Sequence, residues 1–399
     1  MQQTQQPESL AWIEKLVAID TTSRDSNLPL VDLVAAELRE RGLELHVFPD
    51  ATGQKANLVA TVPAADGSRN GGVVLSAHTD VVPVDGQEWS SDPFTTEIRD
   101  GRLYGRGTCD MKGFLGVALH TLPRMLEAEL TEPIHLALTY DEEVGCVGGG
   151  EIVKQFAEIG LDPRACIVGE PSMMHVIGGH KSMNVVRFTF CGVAAHSSRT
   201  PYGVNAIEYA SRFVCAVRER AEGWRDEGPR DEAYGVPYTT ASVNLVSGGI
   251  AGNTVPDRCS VQLEFRSIGA DDPEEILGWM REVAGDLERE MKAENDAARV
   301  EVEILAQAPG FDAPHDSATA RLAVELGAIA SEEKVNYGTE AGQYAGAGID
   351  TVVCGPGDIA QAHTADEYVE LSQLVACEEF MNALVDRLSR TGDSSAHAQ

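Results

Sequence analysis

Val73-Val74-Leu75-Ser76-Ala77-His78-Thr79-Asp80 is a buried apolar run that opens into a polar loop at an imidazole. An imidazole at the end of a buried strand is a usual position for a metal ligand. Asp80, two residues on, can take its second ring N–H and so fix the tautomer. A lone His-x-Asp also occurs by chance, and a single histidine often serves only the fold. The rest of the chain decides between the two, because more ligand-type residues stand at the ends of strand-like runs.

Ile134 to Thr139 is a second such run and leads directly into Asp141-Glu142-Glu143. Three adjacent acids repel one another, and a nearby cation relieves the conflict. Residues 164–168 form a third run, ending in Gly169-Glu170-Pro171, and residues 351–354 form a fourth, followed by Gly355-Pro356-Gly357 and then His363. Gly105-Arg106-Gly107-Thr108-Cys109-Asp110-Met111-Lys112-Gly113 is a glycine-rich turn leading into an apolar helix. Asp110 therefore falls at a helix start, where a carboxylate is favoured by capping alone. In an open α/β sheet the rim beyond the carboxyl ends of the strands is where ligands bind. Gly145, Gly148, Gly149 and Gly150 also invite a phosphate-loop reading. The acids just upstream repel a phosphate, and no Gly-Lys-Ser/Thr completes a nucleotide site.

Working outward, residues 9–19 and 28–41 carry apolar side chains at helical spacing, and 43–48 and 57–62 are short strands. The loop 84–96 holds Trp89, Pro93 and Phe94, which line a cleft or cover a core edge. Near His180 the pattern changes: strand 184–193, helix 205–220, strands 241–246 and 258–266, helix 272–291. That β-α-β-β-α order suits a compact α+β insert. From Val300 the first pattern resumes with strand 300–305, helix 318–329, strand 351–354 and helix 371–388. The expected fold is therefore α/β. A catalytic domain of residues 1–179 and 295–399, with a central mixed sheet flanked by helices, is interrupted by a ferredoxin-like α+β domain of residues 180–294. A length of 399 residues fits two domains.

With 31 basic and 63 acidic residues the net charge is -32, which argues against nucleic acid or anionic membrane as a partner. Most of that acid is expected on a solvated surface, as in a salty habitat, and a minority is available to hold metal. The eight cysteines form no Cys-x-x-Cys pair, so neither a zinc ribbon nor a disulfide framework is indicated. Residues 1–8 are polar and Gln-rich, without the pattern of a signal peptide, and the expected location is cytoplasmic. Residues 391–399 read as a disordered tail.

His78, Asp110, Glu143, Glu170 and His363 are borderline ligands suited to zinc, with cobalt or manganese as substitutes. Five ligands exceed the needs of one tetrahedral ion with an open position. Two ions about 3.5–4 Å apart, bridged by one carboxylate, use them all, and Asp110 is the candidate bridge. Such a pair lowers the pKa of a bound water to about 7 and supplies hydroxide at neutral pH. Glu142, beside a ligand and itself free, can take the water's proton and pass it to a leaving amine; it is equally a solvated loop acid. The oxyanion of a tetrahedral intermediate needs further donors. His196, in Ala194-Ala195-His196-Ser197-Ser198, is placed to help, or is a surface-loop histidine. Asn253 and Arg266 can bind a substrate carboxylate, or serve as a turn residue and a strand-end charge.

Taken together, Ser-Ala-His78-Thr-Asp80, Gly-Arg-Gly-Thr-Cys-Asp110-Met-Lys-Gly, Asp-Glu142-Glu143, Gly-Glu170-Pro, the His196 and Asn253 segments and the final Ala-His363 resemble a known family. It is that of the dinuclear zinc amidohydrolases and exopeptidases, which includes acetylornithine deacetylase, succinyl-diaminopimelate desuccinylase and carboxypeptidase G. The match covers nearly the whole chain. The resemblance implies two zinc ions per subunit, replaceable by cobalt, with His78 and Glu170 on one, Glu143 and His363 on the other, and Asp110 between. It implies that Asp80 orients His78 and that Glu142 is the base. It further implies that the insert is a lid and dimerisation domain, in a homodimer where His196 reaches the partner's site.

Within the family, Val335-Asn336-Tyr337-Gly338-Thr339-Glu340-Ala341 and the segment from Gly355 through His363 to Tyr368 are most similar to the acetylornithine deacetylase branch. That similarity implies hydrolysis of N-acetyl-L-ornithine to ornithine and acetate, in arginine biosynthesis. Glu340 would face the cationic side chain of ornithine, or is a helix-start acid. The near alternative is the same chemistry on another N-acyl amino acid, such as succinyl-diaminopimelate, or on a small peptide. A non-catalytic metal-binding scaffold is the different class, against which a free Glu142 argues.

Overall fold

The computed structural model describes residues 6–389, so the tail at 391–399 and the first five residues of the N-terminal segment lie outside the described residues. The chain divides into two compact units. One comprises residues up to Gly179, Ala313–Glu333 and the chain from Thr339 onward; the other comprises His180–Asp312 and Lys334–Gly338.

The first unit is built on a six-stranded mixed sheet in the order Leu45–Pro49, Ala56–Val62, Ile134–Thr139, Val73–His78, Ala165–Pro171, Asp350–Gly355. The last four strands in that order are mutually parallel, and the first three are joined by antiparallel pairings. Strands buried on both faces read as continuous apolar runs, and every residue of Val73–His78, Ile134–Thr139 and Ala165–Pro171 is buried. The register sets His78 beside Thr139 and Ser76 beside Val168, so the strand ends carrying His78, Glu142–Glu143 and Glu170 emerge side by side. Helices Leu10–Val17, Lys112–Glu127 and Leu371–Leu388 pack with this sheet into one continuous core. The helix after the glycine-rich turn lies so close that a Cβ on Gly169 would stand 2.1 Å from the Phe114 ring; only glycine admits that approach.

The second unit is a four-stranded antiparallel sheet in the order Thr240–Gly248, Arg258–Arg266, Met183–Cys191, Arg299–Ala308, with helices Ala206–Glu227 and Pro273–Glu294. Buried and half-buried residues alternate along Arg258–Arg266, as in a sheet covered on one face. Val186, Phe188, Phe190, Val261, Leu263 and Phe265 meet Phe213, Val217, Leu277 and Met280 of the helices in a core of their own. Both helices start at side-chain caps: Asn205 accepts from the N–H groups of Ile207 and Glu208, and Asp272 from that of Glu274, ahead of Pro273.

Two expectations are corrected. The insert does not end at 294, because Arg299–Ala308 pairs along its whole length with Met183–Cys191 and completes the β-α-β-β-α-β order; the chain returns to the first unit at Ala313. That strand's apolar pattern is compatible with either sheet, so sequence alone misassigns it. The helix expected over 318–329 stops at Glu325, where Gly327 turns the chain at φ 102°.

Candidate metal centre

His78 ends its strand with a side chain that is 1% exposed. Its Nδ1 lies 3.0 Å from the Asp80 carbonyl oxygen and 3.5 Å from Asp80 Oδ1. Asp80 is itself fixed: Oδ1 accepts from the Glu142 N–H at 3.1 Å, and Oδ2 from Ser23 Oγ at 2.7 Å and the Glu143 N–H at 3.3 Å. The ring is thus oriented with Nε2 outward, and the same carboxylate fastens the Glu142–Glu143 loop to the neighbouring strand end.

Nε2 of His78 lies 2.8 Å from Asp110 Oδ1 and 3.6 Å from Glu170 Oε1. On the other side, His363 Nε2 lies 3.3 Å from Asp110 Oδ2 and 3.0 Å from Glu143 Oε2. Two clusters of ligand-type atoms result, His78–Asp110–Glu170 and Asp110–Glu143–His363, each with all its atoms within 4.8 Å of one another. Asp110 belongs to both, one oxygen to each. Capping does not explain it: the helix begins at Lys112 with Met111 as its cap residue, and its first turn receives no side-chain cap.

The electrostatics fit a bound cation pair. Glu143 Oε1 and Glu170 Oε1 are buried acceptors without a hydrogen-bond donor, which metal coordination would satisfy. Burial, reinforced by Asp110, pushes Glu143 up to about 7, and burial with the neighbouring carboxylates lifts Glu170 well above the usual range. Burial alone would raise Asp110 too, but the bonds to His363 and His78 hold it below the ordinary value. The same contacts to Asp110 and Glu143 push His363 up to about 10. Two imidazoles and three buried carboxylates form a donor set that favours a divalent ion over protons.

Of the three consecutive acids, each goes a different way. Asp141 pairs with Lys55, Glu143 enters the second cluster, and Glu142 is half-buried with its Oε1 3.2 Å from Cys146 Sγ. Burial lifts Glu142 well above the usual carboxylate range; His78 opposes the rise, and Glu143 and Asp110 add to it. Two of the glycines after it serve packing: a Cβ on Gly148 would meet the Tyr140 backbone at 2.5 Å, and one on Gly149 would meet Glu340 at 2.8 Å.

A further group went unrecognised in the sequence. Glu367 is buried, and its Oε1 accepts three backbone N–H groups, from Gly107 at 3.0 Å, Cys109 at 2.9 Å and Asp110 at 3.1 Å. Its Oε2 accepts from the buried Arg106 at 2.6 Å. Arg106 also donates to Gln87 Oε1 at 2.7 Å, and Gln87 Nε2 donates to the His363 carbonyl at 2.9 Å. This chain of bonds fastens the loop of Asp110 to the loop of His363. The available signal was Arg106 set between two glycines, a cation where a tight turn needs small residues.

The remaining expected site residues are not in the clusters. Glu340 is turned inward, 1% exposed, with Oε2 accepting from Thr139 Oγ1 at 2.8 Å, and burial pushes it up to about 7. It is the residue that starts the helix Ala341–Gly346, as the helix-start reading expects, although its side chain accepts no capping hydrogen bond, and it is not open to a substrate's cationic group in this structure. His196, Asn253 and Arg266 belong to the second unit. His196 is exposed, with Nδ1 2.8 Å from Ser198 Oγ, and the Asn253 carbonyl accepts the Ser197 N–H at 3.0 Å. Arg266 is partly buried, paired with Glu264 at 2.6 Å and donating to the Asn336 carbonyl at 3.3 Å.

The model of peptidase family M20/M25/M40 matches residues 74–387. The chain belongs to that family. It is 36% identical over 377 residues to an acetylornithine deacetylase of Myxococcus xanthus, covering 93% of this chain and 95% of that one. It is 32% identical over 377 residues to an acetylornithine deacetylase of Proteus mirabilis, with 92% of each chain covered. Among solved structures, an M20 family metallo-carboxypeptidase of Sulfolobus solfataricus superposes with a TM-score of 0.74 at 16% identity, covering 95% of this chain and 98% of that one. A tripeptidase of Staphylococcus aureus superposes with a TM-score of 0.72 at 22% identity, over 96% and 98%. The M20 fold is thus shown, and with it a hydrolase fold whose two ligand clusters are consistent with a dinuclear metal site and hydrolytic amide cleavage.

Proposed function

We propose that this M20 protein is an amidohydrolase that cleaves N-acetyl-L-ornithine to ornithine and acetate, an activity of arginine biosynthesis. The observation that carries the chemistry is Asp110, with one oxygen in each ligand cluster, and Glu142 adjoins the cluster residue Glu143 in the chain, its N–H held by Asp80. What favours this substrate over a peptide is the 36% and 32% identity to two acetylornithine deacetylases, whereas the two peptidase structures, at 22% and 16% identity, share only the fold.

His78 and Glu170 would hold one zinc ion, Glu143 and His363 the other, with Asp110 shared and cobalt able to replace zinc. When bound, such a pair polarises the amide carbonyl and acidifies a water. Glu142 then takes a proton from the attacking water; the C–O bond forms, the C–N bond breaks, and Glu142 returns the proton to the departing amine. Asp80 keeps His78 in register. His196 at the oxyanion, and Asn253 and Arg266 at the substrate carboxylate, are carried with the proposal on family membership, as are the homodimer and the lid role of the second unit. Among the described residues no helix is long and apolar enough to cross a membrane. All eight cysteines are free thiols, which fits a cytoplasmic setting.

The test is release of free amine from a panel of N-acyl amino acids and dipeptides by zinc- or cobalt-loaded protein. N-acetyl-L-ornithine is expected to give the highest kcat/KM. Preference for a succinylated or other acyl amino acid would keep the chemistry and overturn the substrate.

A further inference from the structure

The Glu142 carboxylate is half-buried, and among the described residues one side chain donates to it: Cys146, whose Sγ lies 3.2 Å from Oε1. Cys146 is 1% exposed, so the thiol approaches the carboxylate from the protein side. The backbone brings it there. The Cys146 N–H donates to the Glu142 carbonyl at 2.9 Å, closing a turn that folds the fifth residue back over the first. To do so Cys146 adopts φ 53° and ψ 39°, a left-handed conformation that costs a residue with a Cβ about 1–2 kcal/mol. Glycine, abundant in this segment at 145 and 148–150, would adopt it freely but would bring no donor.

We propose that Cys146 is a positioning residue for the base of this reaction, its thiol holding Glu142 Oε1 in place. This rests on the reading of Glu142 as the general base. A thiol suits the task because S–H is a weak donor: it fixes the orientation of a carboxylate while stabilising its charge less than a hydroxyl or an ammonium would. Burial, then the neighbouring Glu142 and Glu340 carboxylates, keep the thiol protonated, so that it remains a donor.

The test joins kinetics to a spectrum. In zinc-loaded protein, Cys146→Ala is expected to lower kcat about 3- to 10-fold, the worth of one hydrogen bond, with KM and metal content unchanged. Cys146→Ser, which restores a donor, is expected to return kcat to within about twofold of wild type, a rescue that simple loss of packing would not give. The S–H stretch of Cys146, isolated by subtracting the infrared spectrum of Cys146→Ala from that of wild type, is expected to shift to higher frequency in Glu142→Ala. An S–H band unmoved by Glu142→Ala, or wild-type kcat in Cys146→Ala, would overturn the proposal. If no N-acyl amino acid is cleaved, the deacylase reading falls by itself, and the band still decides: moved, the thiol holds Glu142; unmoved, it does not. Should Cys146→Ala fail to fold, Cys146→Ser, which also lacks the S–H group, replaces it as the spectral blank, and the band in Glu142→Ala carries the decision.

Discussion

Each oxygen of Asp110 faces a different imidazole, so Asp110→Asn removes an anionic donor from both clusters at once. The variant is expected to fall from two metal ions per chain to fewer than one, by elemental analysis after gel filtration, whereas Glu170→Gln or Glu143→Gln should lose one ion each. A second residue-scale test lies away from the metal centre. His135 is buried in its strand, its Nδ1 2.9 Å from Thr61 Oγ1 and its Nε2 3.0 Å from the Gly71 carbonyl, and burial lowers its pKa from the ordinary 6.5. Below pH 6.5 the unfolded chain therefore takes up a proton that the folded chain refuses, so stability falls as the pH drops from 6.5 toward the folded pKa. Replacing His135 with Gln is expected to flatten that part of the Tm-against-pH curve; an identical slope in the variant would refute the assignment. His78, Asp110, Glu143, Glu170 and His363 were legible because each follows a strand-like run or opens a helix. Glu367 and Cys146 were not. Glu367 acts on a backbone 260 residues away, and Cys146 acts through a left-handed turn that no periodicity encodes.

Among elements, the pairing of the parallel strands does most to build the site, because neighbouring strands in register deliver His78 and Glu170 to adjacent positions. The helix Lys112–Glu127 must lie close against them. Gly169→Ala would drive a methyl into the Phe114 ring, and overpacking of this kind costs about 1–3 kcal/mol. A lower urea midpoint with unchanged m-value is the expected result, partly reversed by Phe114→Leu, which makes room; additive losses in the double variant would contradict the contact. Strand positions were legible from apolar runs of four to six residues and helices from their spacing. The sheet to which Arg299–Ala308 belongs is not legible in the sequence, because most of its residues are exposed or half-buried and its partner, Met183–Cys191, lies over a hundred residues earlier.

At the scale of the whole molecule, the net charge of -32 makes self-repulsion a standing cost to the compact state. Added salt screens it, and Tm is expected to rise by a few degrees between about 0.05 and about 1 M NaCl. Metal adds to the same balance. An ion present at 100 times its Kd stabilises the state that binds it by about 2.7 kcal/mol, so chelation should lower Tm in wild type and much less in Asp110→Asn. Composition made the charge and its consequences legible without a structure; the pairing of two three-residue ligand sets around one shared aspartate needed the sheet register. The central claim is that these clusters hold metal for hydrolysis driven by Glu142. It is tested most directly by measuring amine release from N-acetyl-L-ornithine and metal content in the same samples of zinc-loaded wild type and Glu142→Ala. The account predicts two ions in both and a rate about 10²–10⁴-fold lower in the variant; a variant within a few-fold of wild type, or a wild type that holds two ions and cleaves no N-acyl amino acid, would contradict it.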